Sequence, residues 1–117
     1  NNRCNFGKLS WSNKFLKVTD NYIYKILTKN QWNKIKENEK FKGTDKDLQD
    51  GFIHFSTKKQ LQGTLNNYFK NQKNLIILKI KLSNENALLW EEDKNGNVFP
   101  HLYDELNLKD IIEKIQT

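Results

Sequence analysis

Hydrophobic and polar positions recur along this chain with a spacing that switches several times between two and about 3.6 residues, and each switch marks an element. Tyr22-Ile23-Tyr24-Lys25-Ile26-Leu27 is aromatic and β-branched, which predicts a strand ending at Thr28. Thr28-Lys29-Asn30-Gln31 has the spacing of a capping box, in which the hydroxyl and the side chain three residues later satisfy each other's backbone amides. A helix should follow, with Trp32 and Ile35 on a short apolar face. Phe41-Lys42-Gly43-Thr44 breaks it, and Thr44 opens one further turn through Asp47 and Leu48 that Gly51 stops. A strand from Phe52 to Phe55 comes next. Thr57 and Gln60 then repeat the capping box, ahead of the most strongly patterned helix, with Leu61, Leu65, Tyr68 and Phe69 at helical spacing.

The second half is richer in strands. Asn74 to Leu82 runs Leu-Ile-Ile-Leu and then alternates Lys79, Ile80, Lys81, Leu82, as in a strand buried centrally and half-exposed at its end. Ala87 to Trp90 is a further short strand, and Lys94-Asn95-Gly96-Asn97 is the turn of a hairpin that returns through Val98-Phe99. Asn107 is placed to cap a last helix with Leu108, Ile111, Ile112 and Ile115 on one face. The order is mixed α and β, with too few helices for a regular parallel βαβ array.

Length and composition fit one domain with a packed core: 117 residues, 36% hydrophobic and 12% aromatic. Residues 1–21 are read as an N-terminal extension and 22–117 as the domain. The net charge is +6, but all 20 basic residues except Arg3 are lysine, which solubilises as often as it binds phosphate. Charge alone is therefore weak support for a nucleic-acid partner. Cys4 is the only cysteine, so no internal disulfide or thiolate cluster can form, and an intracellular, cytoplasmic setting is expected. The longest apolar run, Leu75 to Leu78, falls far short of the roughly 20 residues of a membrane span.

Two apolar elements carry polar tips. Asp50-Gly51-Phe52-Ile53-His54-Phe55-Ser56-Thr57 and Phe99-Pro100-His101-Leu102-Tyr103 hold both histidines of the chain. On an extended strand His54 and Ser56 share a face about 7 Å apart, and His101 and Tyr103 do the same. An imidazole with a hydroxyl can hold a ribose or an amide, and a tyrosine ring can stack on a flat ligand. The alternative is a core histidine satisfied by backbone and a packed Tyr103. Thr57 reads as a cap first, while the helix start beside Lys58 and Lys59 is a candidate anion site. A metal set of His54, His101 and Glu91 lacks a helical His spacing, so no metal is expected. Acyl transfer by Ser56 lacks the Gly-x-Ser-x-Gly elbow.

The chain resembles the family catalogued as domain of unknown function 952 over about residues 22 to 108. The likeness runs through Ile23-Tyr24-Lys25-Ile26, Trp32, Phe41-Lys42-Gly43-Thr44 with Asp47, the motif Asp50 to Thr57, Gln60, Thr64, Leu89-Trp90-Glu91 and Phe99-Pro100-His101-Leu102-Tyr103. Thr44 stands where the family usually has Ser, and Asp104 where it usually has Gly. That family looks like a small ADP-ribosyltransferase fold, which implies an α+β domain of two packed, mostly antiparallel sheets with a central cleft and a few short helices.

The resemblance further implies NAD as cofactor and transfer of ADP-ribose to a protein or RNA acceptor, or removal of an RNA 2′-phosphate; a monomer is expected. Glu91 would be the carboxylate that binds the ribose hydroxyls and His54 its catalytic companion. Ser56, Thr57, His101, Tyr103 and Lys25 would contact the cofactor. Read on its own, Glu91 is equally a solvated charge at a strand end. Two other functions stay open: a non-catalytic module for a nucleotide or phosphorylated metabolite using the same residues, and a basic interaction protein.

Overall fold

A computed structural model describes residues 22–117, so the expectation of an N-terminal extension lies outside the described residues. Among the described residues the architecture is α+β, built from three short α-helices and three antiparallel sheets where the resemblance implied two. Strand β1 (Ile23–Thr28) pairs with β4 (Leu75–Ile80), which pairs on its other side with β8 (Ile111–Gln116). A second sheet has the order β3 (Ile53–His54), β6 (Val98–Leu102), β5 (Leu88–Glu92). A two-stranded ribbon joins β2 (Lys40–Phe41) to β7 (Leu106–Asn107). No helix among the described residues is long and apolar enough to cross a membrane.

Strands β1 and β4 are buried on both faces, which is why they read as nearly unbroken apolar runs. Alternation sends Ile23 and Leu27 of β1, with Ile76, Leu78 and Ile80 of β4, into a large core shared with Phe41, Ile53, Leu102 and Leu106. The other face, Tyr24, Ile26, Leu75 and Ile77, is covered by Leu61 and Leu65 of α3 (Leu61–Tyr68) and by Phe69 just after it. Helix α1 (Lys29–Ile35) starts on the predicted capping box, with Thr28 and Gln31 each accepting the other's backbone amide. Helix α2 (Asp45–Asp50) starts on a second one, Thr44 with Asp47, and ends at Gly51 in the left-handed conformation.

Several expectations from sequence are corrected. The last helix does not form. Asn107 makes no side-chain cap bond, a single 3₁₀ turn spans Leu108–Asp110, and Ile111–Gln116 is strand β8 on the open edge of β4. Pairing offers its β-branched residues a ladder of backbone hydrogen bonds that an isolated terminal helix would have to stabilise alone. The Thr57/Gln60 bonds form as foreseen, but they close a turn, and α3 begins only at Leu61. Tyr68, expected on the apolar face, is exposed. The strand over Phe52–Phe55 shrinks to Ile53–His54. After Phe55 donates to the Pro100 carbonyl, Ser56 leaves β6 and exchanges two backbone bonds with Tyr24 of β1.

Gly43 lies on this frame's least tolerant turn. Its φ is +120°, and a Cβ there would lie 2.7 Å from the Asp47 Cβ. Gly43→Ala should therefore lower stability by about 1–3 kcal/mol, from backbone strain and from displacing Asp47. Urea denaturation checks this, and an unchanged midpoint would refute it.

Candidate active site

The site is assembled where β3 meets β6. His54 and His101 are direct partners across this ladder, and their rings stand edge to face with centroids 5.4 Å apart. Phe52, one residue before β3, stacks on His101 at 4.1 Å and touches the His54 ring at 4.6 Å and the Tyr103 ring at 5.2 Å. Two histidines far apart in sequence thus share one aromatic cluster.

Each imidazole is oriented by a carboxylate. Glu91 on β5 pairs with Phe99, which places it diagonally from His101 on the same sheet face. His101 Nδ1 donates to Glu91 Oε1 at 2.7 Å, and the Tyr103 hydroxyl donates to the same oxygen at 2.8 Å. Those two bonds, the His101 bond foremost, hold the Glu91 carboxyl below the ordinary range, and the bond to Glu91 pushes the Tyr103 phenol up. Tyr103 is exposed, as is Leu89, the direct partner of His101 on β5. With Nδ1 committed to Glu91, His101 Nε2 has no partner among the described residues.

His54 is oriented from beneath. Asp47 occupies the third position of α2, and its carboxylate takes four donors. Oδ2 accepts from Thr44 N at 2.9 Å and Lys25 Nζ at 2.8 Å, and Oδ1 accepts from His54 N at 3.2 Å and His54 Nδ1 at 2.6 Å. Burial alone would raise the Asp47 pKa, but the His54 bond and the charge of Lys25 outweigh it and hold the carboxyl well below its usual range. Burial pulls the Lys25 ammonium below its ordinary value, against the attraction of Asp47. On the exposed side His54 Nε2 lies 2.9 Å from Asp50 Oδ2, which also meets Lys46 Nζ at 3.1 Å.

The structure brings together Glu91, His54, His101 and Tyr103, and gives Lys25 a place behind them. It does not bring Ser56 and Thr57 to the same cluster. Ser56 is buried with its hydroxyl 3.0 Å from that of Thr64, because the chain turns from β6 to β1 at this residue and the shared face with His54 ends. Thr57 is held in the turn with Gln60, whose side-chain amide donates to the Val98 carbonyl. Lys25 points inward but spends its donors on Asp47 and the His54 carbonyl, so it is a support of the site and not an exposed ligand contact. Sequence reading did not single out Asp47, Asp50 and Phe52 as site residues. Asp47 read only as a residue of the turn that Thr44 opens, and the four-residue step from Asp50 to His54 was the available signal. No group of three or more His, Cys, Asp or Glu among the described residues is arranged to hold a metal ion.

The family model described as "Protein of unknown function (DUF952)" matches residues 26–114. Protein CC0527 from Caulobacter crescentus is similar to this chain at 36% identity. Its crystal structure gives a TM-score of 0.75 and covers 81% of this chain and 84% of that one, with the same values for a double mutant. Its solution structure gives 0.73, with 82% and 84% covered. A search of curated proteins found no match.

The depressed Asp47 pKa fixes a sign. A carboxyl that is more acidic folded than unfolded contributes stability that is complete above its ordinary pKa of 3.8 and is lost as pH falls below it. The melting temperature should therefore drop on acidification. Asp47→Asn should lower stability at neutral pH by about 3–5 kcal/mol, the cost of leaving a buried partner charge unpaired, and should flatten the acid limb. Melting curves across the acid range test this, and an acid slope unchanged in the variant would rule it out.

Proposed function

The chain belongs to the DUF952 family, and for it we propose NAD-type nucleotide binding at the His54–His101 surface, with Glu91 as the carboxylate for ADP-ribosyl transfer. The observation that carries this reading is the pair of hydrogen bonds that Glu91 Oε1 accepts from His101 and Tyr103 on the exposed side of β5. Both donors use one oxygen, so Oε2 is available to a ligand.

The chemistry follows from that geometry. Breaking the bond between C1′ of the ribose and the nicotinamide nitrogen leaves positive charge on the ribose, and the nicotinamide departs neutral. A pre-oriented anion lowers the energy of that charge without reorganising during the reaction. Two hydrogen bonds keep Glu91 ionised, as this requires. Its free oxygen can accept a ribose hydroxyl, and the exposed Tyr103 ring offers a face for a flat base or for nicotinamide. The acceptor then bonds to C1′ as its proton leaves. The antiparallel sheets are compatible with the fold the sequence resembles, and the sequence motifs for that resemblance include every residue of the Glu91–His101–Tyr103 group.

Calorimetry and thermal shift with NAD, ADP-ribose and nicotinamide test the reading. A ligand at a hundred times its Kd stabilises the folded protein by about 2.7 kcal/mol. The expected result is saturable stabilisation by NAD that Glu91→Gln retains, together with a loss of nicotinamide release in that variant. No stabilisation at millimolar NAD would overturn the proposal, and turnover unchanged in Glu91→Gln would remove Glu91 from it.

A further inference from the structure

A chain of charges converges on His54 from inside the molecule. Lys25 sits on the core-facing side of β1 between Ile23 and Leu27, where a lysine is out of place unless its charge is answered. Its side chain is 7% exposed and that of Asp47 is 2%. Nζ spans two elements, bonding Asp47 at the start of α2 and the backbone carbonyl of His54 on β3, each at 2.8 Å. Asp47 returns a grip on the same residue through the His54 amide and ring Nδ1. Three of these four contacts reach His54 itself, two on its backbone and one on ring Nδ1, and together they fix the imidazole in position and rotation.

The hydrogen inventory of the ring follows from its partners. A carboxylate oxygen accepts and does not donate. His54 Nδ1 faces Asp47 Oδ1 at 2.6 Å and Nε2 faces Asp50 Oδ2 at 2.9 Å, so both contacts are hydrogen bonds together only when both nitrogens carry hydrogen. The groups facing this ring are Asp47, Asp50 and, behind Asp50, Lys46 from α2; Lys25 from β1; and His101 from β6. Two carboxylates bond it directly, and the two lysines bond those carboxylates.

We propose that Lys25 and Asp47 are positioning residues that act through His54, holding its ring as a proton donor at the rim of the site. The buried ion pair fixes Asp47, and Asp47 keeps a hydrogen on Nδ1 and sets the direction of Nε2. Asp50, on the exposed side, is the partner that a ligand acceptor can displace. This inference rests on the reading above only in treating the His54–His101 surface as functional; the state of the ring does not depend on NAD.

Side-chain ¹H–¹⁵N NMR of the histidines in the full chain, without ligand and near neutral pH, is the test. In the native protein His54 should show hydrogen on both ring nitrogens. In Asp50→Asn, which changes only the exposed partner, His54 should keep Nδ1–H and become the neutral Nδ1–H tautomer. In Asp47→Asn and Lys25→Met, provided the spectrum shows a folded chain, the Nδ1 hydrogen signal should weaken or vanish, which a merely structural ion pair would not cause. An Nε2–H tautomer in the native protein or in Asp50→Asn overturns the proposal, and neither species depends on the buried variants folding. If NAD fails to bind, the transferase reading falls and the spectrum still decides this one.

Discussion

The buried ion pair between Lys25 and Asp47 is the constraint on which the site depends. Removing an ammonium and a carboxylate from water is costly, and the pair is tolerable only because every strong donor and acceptor it brings is matched. Asp47 meets this with four donors drawn from the N-cap of α2, from β1 and from β3, and Lys25 with an anion and a carbonyl. Replacing either charge alone strands the other in the core. The pair therefore ties the start of a six-residue helix, the middle of a strand and a two-residue strand into one geometry, which short elements of that size could not hold through their own backbone bonds.

The cap of α2 and the support of His54 are one carboxylate. Asp47 Oδ2 closes the capping box with Thr44 and Oδ1 reaches His54, so the local rule that starts the helix also sets the register of a side chain seven residues later. Gly43 has to be a glycine for the same reason: its positive φ and its closeness to Asp47 leave no room for a side chain. The motif Phe41-Lys42-Gly43-Thr44 with Asp47 is thereby explained as a device that delivers a carboxylate beneath β3.

The second imidazole is oriented by a different route. His101 takes its direction from Glu91 across the β5–β6 hairpin, and Tyr103 adds a further donor from the residue after β6. One histidine is thus supported from the core and the other from the exposed sheet face, while Phe52 packs against both rings. The two arrangements differ in burial. Asp47 is shut away from solvent, whereas Glu91 is open to it, and only the second offers an unoccupied oxygen to a ligand.

Much of the frame was legible in the sequence because it rests on local physics. The capping box at Thr28, the helical turn opened by Thr44, the stop at Gly51, the Asn95-Gly96 hairpin and the apolar strands β1 and β4 follow from neighbouring residues and their periodicity. The polar tips at His54, His101 and Tyr103 were also visible, as hydrogen-bonding groups set in apolar runs. Residues with no local signature were decided by tertiary structure. Ile111 to Gln116 has apolar spacing that suits a helix, yet the open edge of β4 recruits it as a strand, because a backbone ladder beside a buried strand outweighs a weak terminal helix. Ser56 lost its place beside His54 when the chain crossed from one sheet to another. The inward direction of Lys25 and the double role of Asp47 came from contacts 22 and seven residues away in sequence, a separation over which side-chain type carries no directional information.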